Sequence, residues 1–490
     1  MVFSEPTFLF FFLPVIIGFY FLSPVRFRNY FLLAASLFFY SWGEELYVLV
    51  LIASISQNYV FGILINYFRN SKLSLWFLLA GVFSNLAWLG YFKYFNFVME
   101  NVPSGFIEIG NIHLPIGISF FTFQALTYLI DLYARRIEVQ KDPFKLALYI
   151  SLFPQLIAGP IVRYAEVERA LTTRRTTRGD FASGFFRFVL GLAKKTLIAD
   201  NLGLLADQIF DIPNEGLSGS VAWLGVICYS LQIYFDFSAY SDMAIGLGRI
   251  FGFKFPENFN YPYIAQSVTD FWRRWHMTLS RWFRDYLYIP LGGNRNGTAR
   301  TYVNLFVVFL LCGFWHGASW NFILWGGYYG FFLMVERMGL GKFIPRLPRV
   351  FRHSYLLLVV MIGWVPFRAE TFEQSISFLK SMFLLQAGEL ATLYPLDRFL
   401  SLYGVIVIIA GIVFATPIGR LIFRENDGQN SNGLMSIQQG PEGQDIPRKR
   451  WMFISLAKPA AIEVIFWLLL SASIISVGSA SYSPFIYFRF

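Results

Sequence analysis

The sequence predicts an all-α integral membrane protein, polytopic, with roughly 11–13 transmembrane or re-entrant segments, forming a single domain over residues 1–490. Three observations carry that prediction. Only 14% of the residues are charged, against about 25% in a soluble domain. Apolar runs recur from Phe8 to Val477, many of them close to the ~20 residues a helix needs to cross a ~30 Å hydrocarbon core. These runs are continuous, unlike the short alternating strands of a barrel. Backbone groups in lipid must pair within the protein, so continuous runs mean helices.

The expected spans follow in order: 7–22, 29–42, 46–66, 75–98, 113–132, 184–210, 218–248, 354–368, 399–421 and 460–478. Two shorter pieces, 301–314 and 318–336, flank His316. The first run has Glu5 and Pro6 before it and Arg26 and Arg28 after it. It lacks a basic leader and a small-residue cleavage site, so it reads as a retained helix. Loop charge orients the set, because Lys and Arg favour the cytoplasmic side. Ser41–Glu45, Asn96–His113 and Asp211–Ser220 contain no Lys or Arg and are placed outside. Arg26/Arg28, Arg69/Lys72, Arg135 to Lys145, Arg337–Arg352 and Arg424–Lys458 are placed inside. Both termini then face outward.

Two regions break this alternation. Residues 133–195 hold twelve Lys or Arg and 249–300 hold eight, together half of the forty in the chain. Within the first, Leu146–Ile161 is apolar but contains Pro154, Gly159 and Pro160, which suits a segment that enters the membrane and returns. Such backbone is tolerated only where protein or a cavity surrounds it. Residues 426–445 are rich in Asn, Gln, Gly and Ser and read as a mobile cytoplasmic linker. No internal repeat is visible, whereas many transporter folds are built from related halves.

Four histidines are present. His113 and His353 sit at a helix end and in a basic loop. His316 stands between apolar pieces, where an ionisable group is costly and points to function. Two readings stay open: a buried histidine bonded between helices, or a general base near mid-membrane. Gly313 and Gly317 beside it allow close helix approach, or leave room for substrate. Imidazole suits acylation of a hydroxyl, because it takes and returns a proton near neutral pH. Burial favours its neutral form. The thioester carbonyl needs a donor for its oxyanion; Trp315, Trp320 and Asn321 are candidates to orient substrate.

His276 lies in a basic aromatic stretch, with Arg273, Arg274, Arg281 and Arg284 alternating with Trp272, Trp275 and Trp282. As a helix it is either an interfacial anchor on anionic headgroups or an entrance for a donor's phosphates, from coenzyme A or an acidic acyl carrier protein. Asp236 and Asp242 lie in one long apolar helix and need partners, with arginines of the basic regions expected; a structural ion pair is the first reading. Cys228 and Cys312 offer neither a metal site nor a disulfide framework. No phosphate-binding loop, dinucleotide fingerprint, nucleophile elbow or metal-ligand spacing occurs. The basic clusters border membrane spans, so their partners are membrane lipids and a donor, not nucleic acid.

Taken together, the runs from Pro115 to Gln124 and from Phe153 to Arg163, the Asp236 cluster, the two Trp-His blocks and the ends Met1–Ser4 and Pro484–Phe490 resemble the membrane-bound O-acyltransferase family over nearly the whole chain. Within it the likeness is to the branch that O-acetylates bacterial polysaccharides such as alginate. Relatives acylate peptidoglycan, cellulose or, with D-alanine, teichoic acids. The resemblance implies a helical ring around a thin membrane region with a tunnel joining both faces. It implies His316 as the active-site histidine and His276 as the second characteristic one. It further implies acetyl-CoA or another acyl thioester as donor substrate, no bound cofactor, a polysaccharide acceptor, a separate periplasmic acetyltransferase partner, and the bacterial cytoplasmic membrane as location. The competing class is a transporter or acyl-group channel without transferase chemistry; acyl turnover without a gradient separates the two.

Overall fold

The computed structural model describes residues 1–102, 112–384, 390–418 and 459–479. Every regular element among these is helical. A π turn at Thr7–Phe12 runs into α1 (Leu13–Leu22), which ends where Ser23 turns extended. Next come α2 (Arg28–Glu44), α3 (Val48–Tyr67) and α4 (Leu73–Leu89); α4 continues through a π segment, Gly90–Tyr94, into α5 (Phe95–Glu100). After α6 (Ile118–Tyr133) stand the short α7 (Pro143–Ser151), α8 (Phe153–Leu156) and α9 (Tyr164–Thr173). α10 (Arg178–Ala193) passes through a second π segment, Lys194–Ala199, into α11 (Asp200–Phe210). The 32-residue α12 (Gly219–Ile250) follows, then α13 (Val268–Trp272), α14 (Met277–Phe283), α15 (Thr298–His316) and α16 (Trp320–Val335). The described chain closes with α17 (Gly341–Phe343), α18 (Arg349–Arg368), α19 (Phe372–Leu384), α20 (Leu402–Phe414) and α21 (Pro459–Ser479).

Five helical runs among the described residues are long and apolar enough to cross a membrane, or six with the pair Ala391–Arg398 and Leu402–Phe414, which bends by 69°. The remaining expected spans are shorter or carry charge. The chain is therefore an all-helical, multi-pass membrane protein. Its centre is α12, buried along nearly its whole length and packed by α8, α10, α11, α18, α19 and α20. Glycine permits the tightest of these crossings. A Cβ on Gly184 would lie 2.6 Å from the Gly246 carbonyl oxygen, and one on Gly246 2.5 Å from that of Gly184.

Several boundaries depart from the sequence expectation. The helix expected from 113 begins at Ile118, because Gly117 is left-handed (φ 78°) and a Cβ there would meet the Leu156 carbonyl oxygen at 2.7 Å. The span 184–210 is one helical run, but it starts at Arg178 and widens at Lys194–Ala199. Helix α19 was not expected. The linker at 426–445, the Pro484 motif and the loop Arg424–Lys458 lie outside the described residues.

Residues 146–162 fold as two short helices and an extended return, nearly all buried. Three of their polar groups are bonded as follows: Phe153 N–H donates to Ser36 Oγ at 3.1 Å, Ile161 N–H to Thr278 Oγ1 at 3.1 Å, and the Tyr149 hydroxyl to the Val162 carbonyl at 3.0 Å. Irregular backbone is thus enclosed by protein, as a low-dielectric setting requires.

Loops assigned to one side by charge also meet in space. His113 bonds Glu44 at 3.1 Å, and Arg135 donates to the Arg69 carbonyl at 3.0 Å and to Asn70 at 3.2 Å. The orientation is testable at Leu46, which is 77% exposed, rather than at the 7%-exposed Val2. A cysteine at position 46 is expected to react with an impermeant thiol reagent in intact cells. Labelling that appears only after the cytoplasmic face is opened would reverse the assignment.

Candidate active site

His316 is the last residue of α15. A helix leaves its final carbonyls without intrahelical partners, and here two adjacent side chains of the Gly90–Tyr94 π segment take them. The Tyr94 hydroxyl donates to the Phe314 carbonyl at 3.0 Å. Lys93 Nζ donates to the carbonyls of Trp315 at 2.6 Å and His316 at 3.1 Å. α15 then turns back into α16. A Cβ on Gly313 would lie 2.2 Å from the Phe322 carbonyl oxygen, and one on Gly317 2.2 Å from the Phe322 ring. These glycines serve close packing of the α15–α16 pair, and neither opens space for substrate.

The imidazole stands in an aromatic box, edge-on to Trp315 at 5.0 Å, Trp325 at 5.1 Å and Phe367 at 5.3 Å. His316 Nδ1 is buried and has no hydrogen-bond partner among the described residues. The same holds for the indole N–H groups of Trp272, Trp315 and Trp325 and for the Tyr329 hydroxyl; the rings of Trp272, Trp325 and Tyr329 touch one another, and Trp315 and Trp325 both touch the His316 ring. Buried polar atoms are normally bonded, so a cluster of exceptions calls for an explanation. An indole N–H only donates. The cluster therefore offers a base or acid nitrogen beside several donors, which matches a ligand rich in carbonyl or hydroxyl oxygen.

The His276 block is not the single helix its spacing suggests. α13 ends at Trp272, and His276 itself is left-handed (φ 42°, ψ 52°) before α14 starts. Three groups hold this break. Ser267 caps α13 through the Asp270 N–H at 3.0 Å. The Glu336 carboxylate accepts from Val268 N at 2.6 Å and Thr269 N at 2.9 Å. Asn258 accepts through Oδ1 from Thr278 N at 3.2 Å and Thr278 Oγ1 at 2.9 Å, with His276 Nδ1 at 3.1 Å. The Thr278 N–H can only donate, which fixes Oδ1 as the acceptor. His276 Nδ1 then carries the proton, and Nε2 is the ring's lone-pair nitrogen. The helix broke where no Gly or Pro announced it, because the determinant is Asn258, 18 residues away.

A stack of three rings joins the two histidine blocks. Trp282 lies on Phe123 at 3.8 Å, and Phe123 lies on Trp315 at 5.0 Å. The stack thus links the Trp315–His316 block to α14, the helix that follows His276.

Other candidates sit elsewhere. Asn321 donates to the Ala369 carbonyl at 2.9 Å and accepts from Ser375 at 3.4 Å, tying α16 to the end of α18 and to α19. Asp236 pairs with Lys195 at 2.9 Å, which also reaches Asp200 at 2.6 Å. Its partner is thus a lysine, where an arginine was expected. Asp242 does meet an arginine, Arg187 at 2.8 Å, together with Lys194 at 2.6 Å. The basic side chains divide. Arg274 pairs with Asp270 at 3.0 Å and Arg284 with Asp285 at 2.6 Å, while Arg273 is exposed and Arg281 is half-buried. Burial would raise the Asp285 carboxyl, but hydrogen bonds from Arg284 and Arg163 hold it below its usual range. Among the described residues no three His, Cys, Asp or Glu side chains gather as a metal site would need. Sequence reasoning passed over Lys93, Asn258 and Trp325. Lys93 had a signal, a lone cation in an otherwise uncharged run.

Comparison with known proteins adds to this geometry. The profile of the family described as "MBOAT, membrane-bound O-acyltransferase family" matches residues 113–362. The chain is 40% identical to the probable alginate O-acetylase AlgI of Azotobacter vinelandii, with 100% of both chains covered. It is 36% identical to the peptidoglycan O-acetyltransferase of Helicobacter pylori, covering 100% of this chain and 98% of that one. The teichoic acid D-alanyltransferase of Bacillus subtilis is 31% identical over 44% of this chain and 56% of its own.

Proposed function

The chain belongs to the membrane-bound O-acyltransferase family, and from that premise we propose that it transfers an acetyl group from a cytoplasmic thioester, acetyl-CoA or an acyl carrier protein, to hydroxyls of an extracytoplasmic polysaccharide of the alginate type. It is an O-acyltransferase of a multi-pass membrane protein class. The bacterial cytoplasmic membrane is the location that lets donor and acceptor approach from opposite faces. A periplasmic acetyltransferase partner completes delivery to the polymer. The full-length relatives named for O-acetylation support an acetyl cargo over D-alanine, since the D-alanyl relative aligns with less than half of the chain. Peptidoglycan is the second acceptor to test, on the 36% full-length relative.

One observation carries the assignment of the reaction to His316: among the described residues its buried Nδ1 has no hydrogen-bond partner, and two indoles whose N–H groups likewise have none, Trp315 and Trp325, stand against its ring. In the reaction the imidazole takes the hydroxyl proton as that oxygen attacks the thioester carbonyl. An N–H of the aromatic box, with Trp315 and Trp325 nearest, meets the developing oxyanion. When the tetrahedral intermediate collapses, the C–S bond breaks and the imidazolium returns its proton to the leaving thiolate. His276, held as the Nδ1–H tautomer, supports the donor side.

Purified protein with radiolabelled acetyl-CoA, the periplasmic partner and either alginate or peptidoglycan fragments tests this reading. Label on alginate without any ion gradient is expected. Label on neither polymer, with the partner present, would count against acetyl transfer. The donor entrance has its own test. Arg273→Glu with Arg281→Glu is expected to raise the donor KM and weaken its salt dependence, with little change in expression. An unchanged donor KM would leave these arginines as membrane anchors.

A further inference from the structure

Lys93 lies within the apolar helical run Leu73–Glu100, yet none of its described bonds goes to a carboxylate. Its Nζ lies 2.6 Å from the Trp315 carbonyl oxygen, 3.1 Å from that of His316 and 3.2 Å from Ser119 Oγ. We propose that Lys93 is a positioning residue, which holds His316 in its reactive pose by capping the end of α15 and fastening it to α6.

Three acceptors match the three N–H bonds of an ammonium. The C-terminal end of a helix carries partial negative charge, which explains a cation placed there without an acidic partner. Tyr94 completes the cap: its hydroxyl takes the Phe314 carbonyl at 3.0 Å and its ring stacks on Phe314 at 4.1 Å. The carbonyls of three consecutive residues, 314 to 316, are thereby held from one neighbouring segment. Consecutive side chains on an α-helix point about 100° apart, and both reach α15 from the Gly90–Tyr94 π segment. Such one-turn π insertions are frequent at functional sites.

The third contact explains why this is more than a helix cap. Ser119 lies in the first turn of α6, and one turn further along α6 Phe123 stacks on Trp315. One ammonium therefore joins α15, α6 and the π segment around the imidazole. Lys93 also lies over the Trp315 ring, 5.6 Å from its centre. With its N–H bonds directed at these three oxygens, Lys93 is not the oxyanion donor. Its loss should alter how the bound donor and hydroxyl meet the base, and leave donor binding itself alone.

This inference rests on His316 as the base, so the experiment includes His316→Ala. Purified Lys93→Met, Ser119→Ala and His316→Ala proteins are compared in the acetyl-transfer assay, each with its folding checked by size exclusion and thermal unfolding. Misplacement of reacting groups by about 1 Å can cost about 10²-fold. A kcat fall of that order is expected for Lys93→Met, with donor KM within a few-fold of the parent. Ser119→Ala, which removes one of three contacts, should show a smaller fall in kcat alone. Folded Lys93→Met protein with parental kcat, or with an effect confined to KM, would overturn the proposal. If Lys93→Met does not accumulate, Ser119→Ala decides: a lower kcat at unchanged KM supports it and an unchanged kcat overturns it. Turnover retained by His316→Ala would instead remove the base assignment, whatever the Lys93 variants do.

Discussion

Replacement of His316 by alanine is expected to lower acyl transfer by about 10²–10⁴-fold, the usual contribution of a general base. The protein should still insert and fold. The side chain makes ring contacts but no described hydrogen bond through Nδ1, so its removal leaves no partner stranded. The helix end stays held, because Lys93 and Tyr94 bind the backbone carbonyls of residues 314–316 and not the imidazole. Loss of activity with unchanged unfolding temperature and elution volume is the expected pair of results. Near-parental turnover would make His316 a buried structural histidine and move the search for the base to His276.

Replacement of Lys195 by methionine should act in the opposite way, through stability. Lys195 is buried, as are Asp236 and Asp200, which share it at 2.9 and 2.6 Å. Removing one partner from a buried ion pair costs about 3–5 kcal/mol, because an uncompensated charge is left inside. Here one substitution deprives two carboxylates of their common cation. The variant should accumulate poorly or unfold at a clearly lower temperature in detergent. Adding Asp236→Asn should recover part of the loss by removing one of the two charges. Equal unfolding temperatures for Lys195→Met and the parent would show that the triad does not hold α11 to α12, and would reopen Asp236 as a substrate contact.

The spans were legible because lipid imposes a single rule, length times apolarity, on every crossing. Long runs such as Leu73–Glu100 and Gly219–Ile250 therefore show in composition alone. His316 was legible as an ionisable group within apolar sequence. What the sequence hid depends on contacts distant along the chain. The break at His276 is held by Asn258 and Glu336. The role of Lys93 needs oxygens from residues 119, 315 and 316. Asp236 drew a lysine because the π segment Lys194–Ala199 turns Lys195 inward; no periodicity announces a widened turn. Gly313 and Gly317 were ambiguous for a similar reason, since only the position of Phe322 shows whether the space beside them is filled.

The docking of α1 onto α12 also has a consequence for biosynthesis. The Tyr20 hydroxyl donates to the Phe251 carbonyl at 2.9 Å across 231 residues, and Phe3 stacks on Tyr240 at 4.5 Å. At roughly 5–20 residues per second, the ribosome needs on the order of 10–50 s to make the second half of these contacts after the first. During that interval the first helices stand in the lipid with their inward aromatic faces uncovered. Phe8, Phe12 and Phe39, which pack together and on Phe153, give the newborn segment a nucleus of its own once residue 153 has emerged. The closing of the bundle waits for α12, so the order of synthesis places this central helix after α8, α10 and α11, which pack against it.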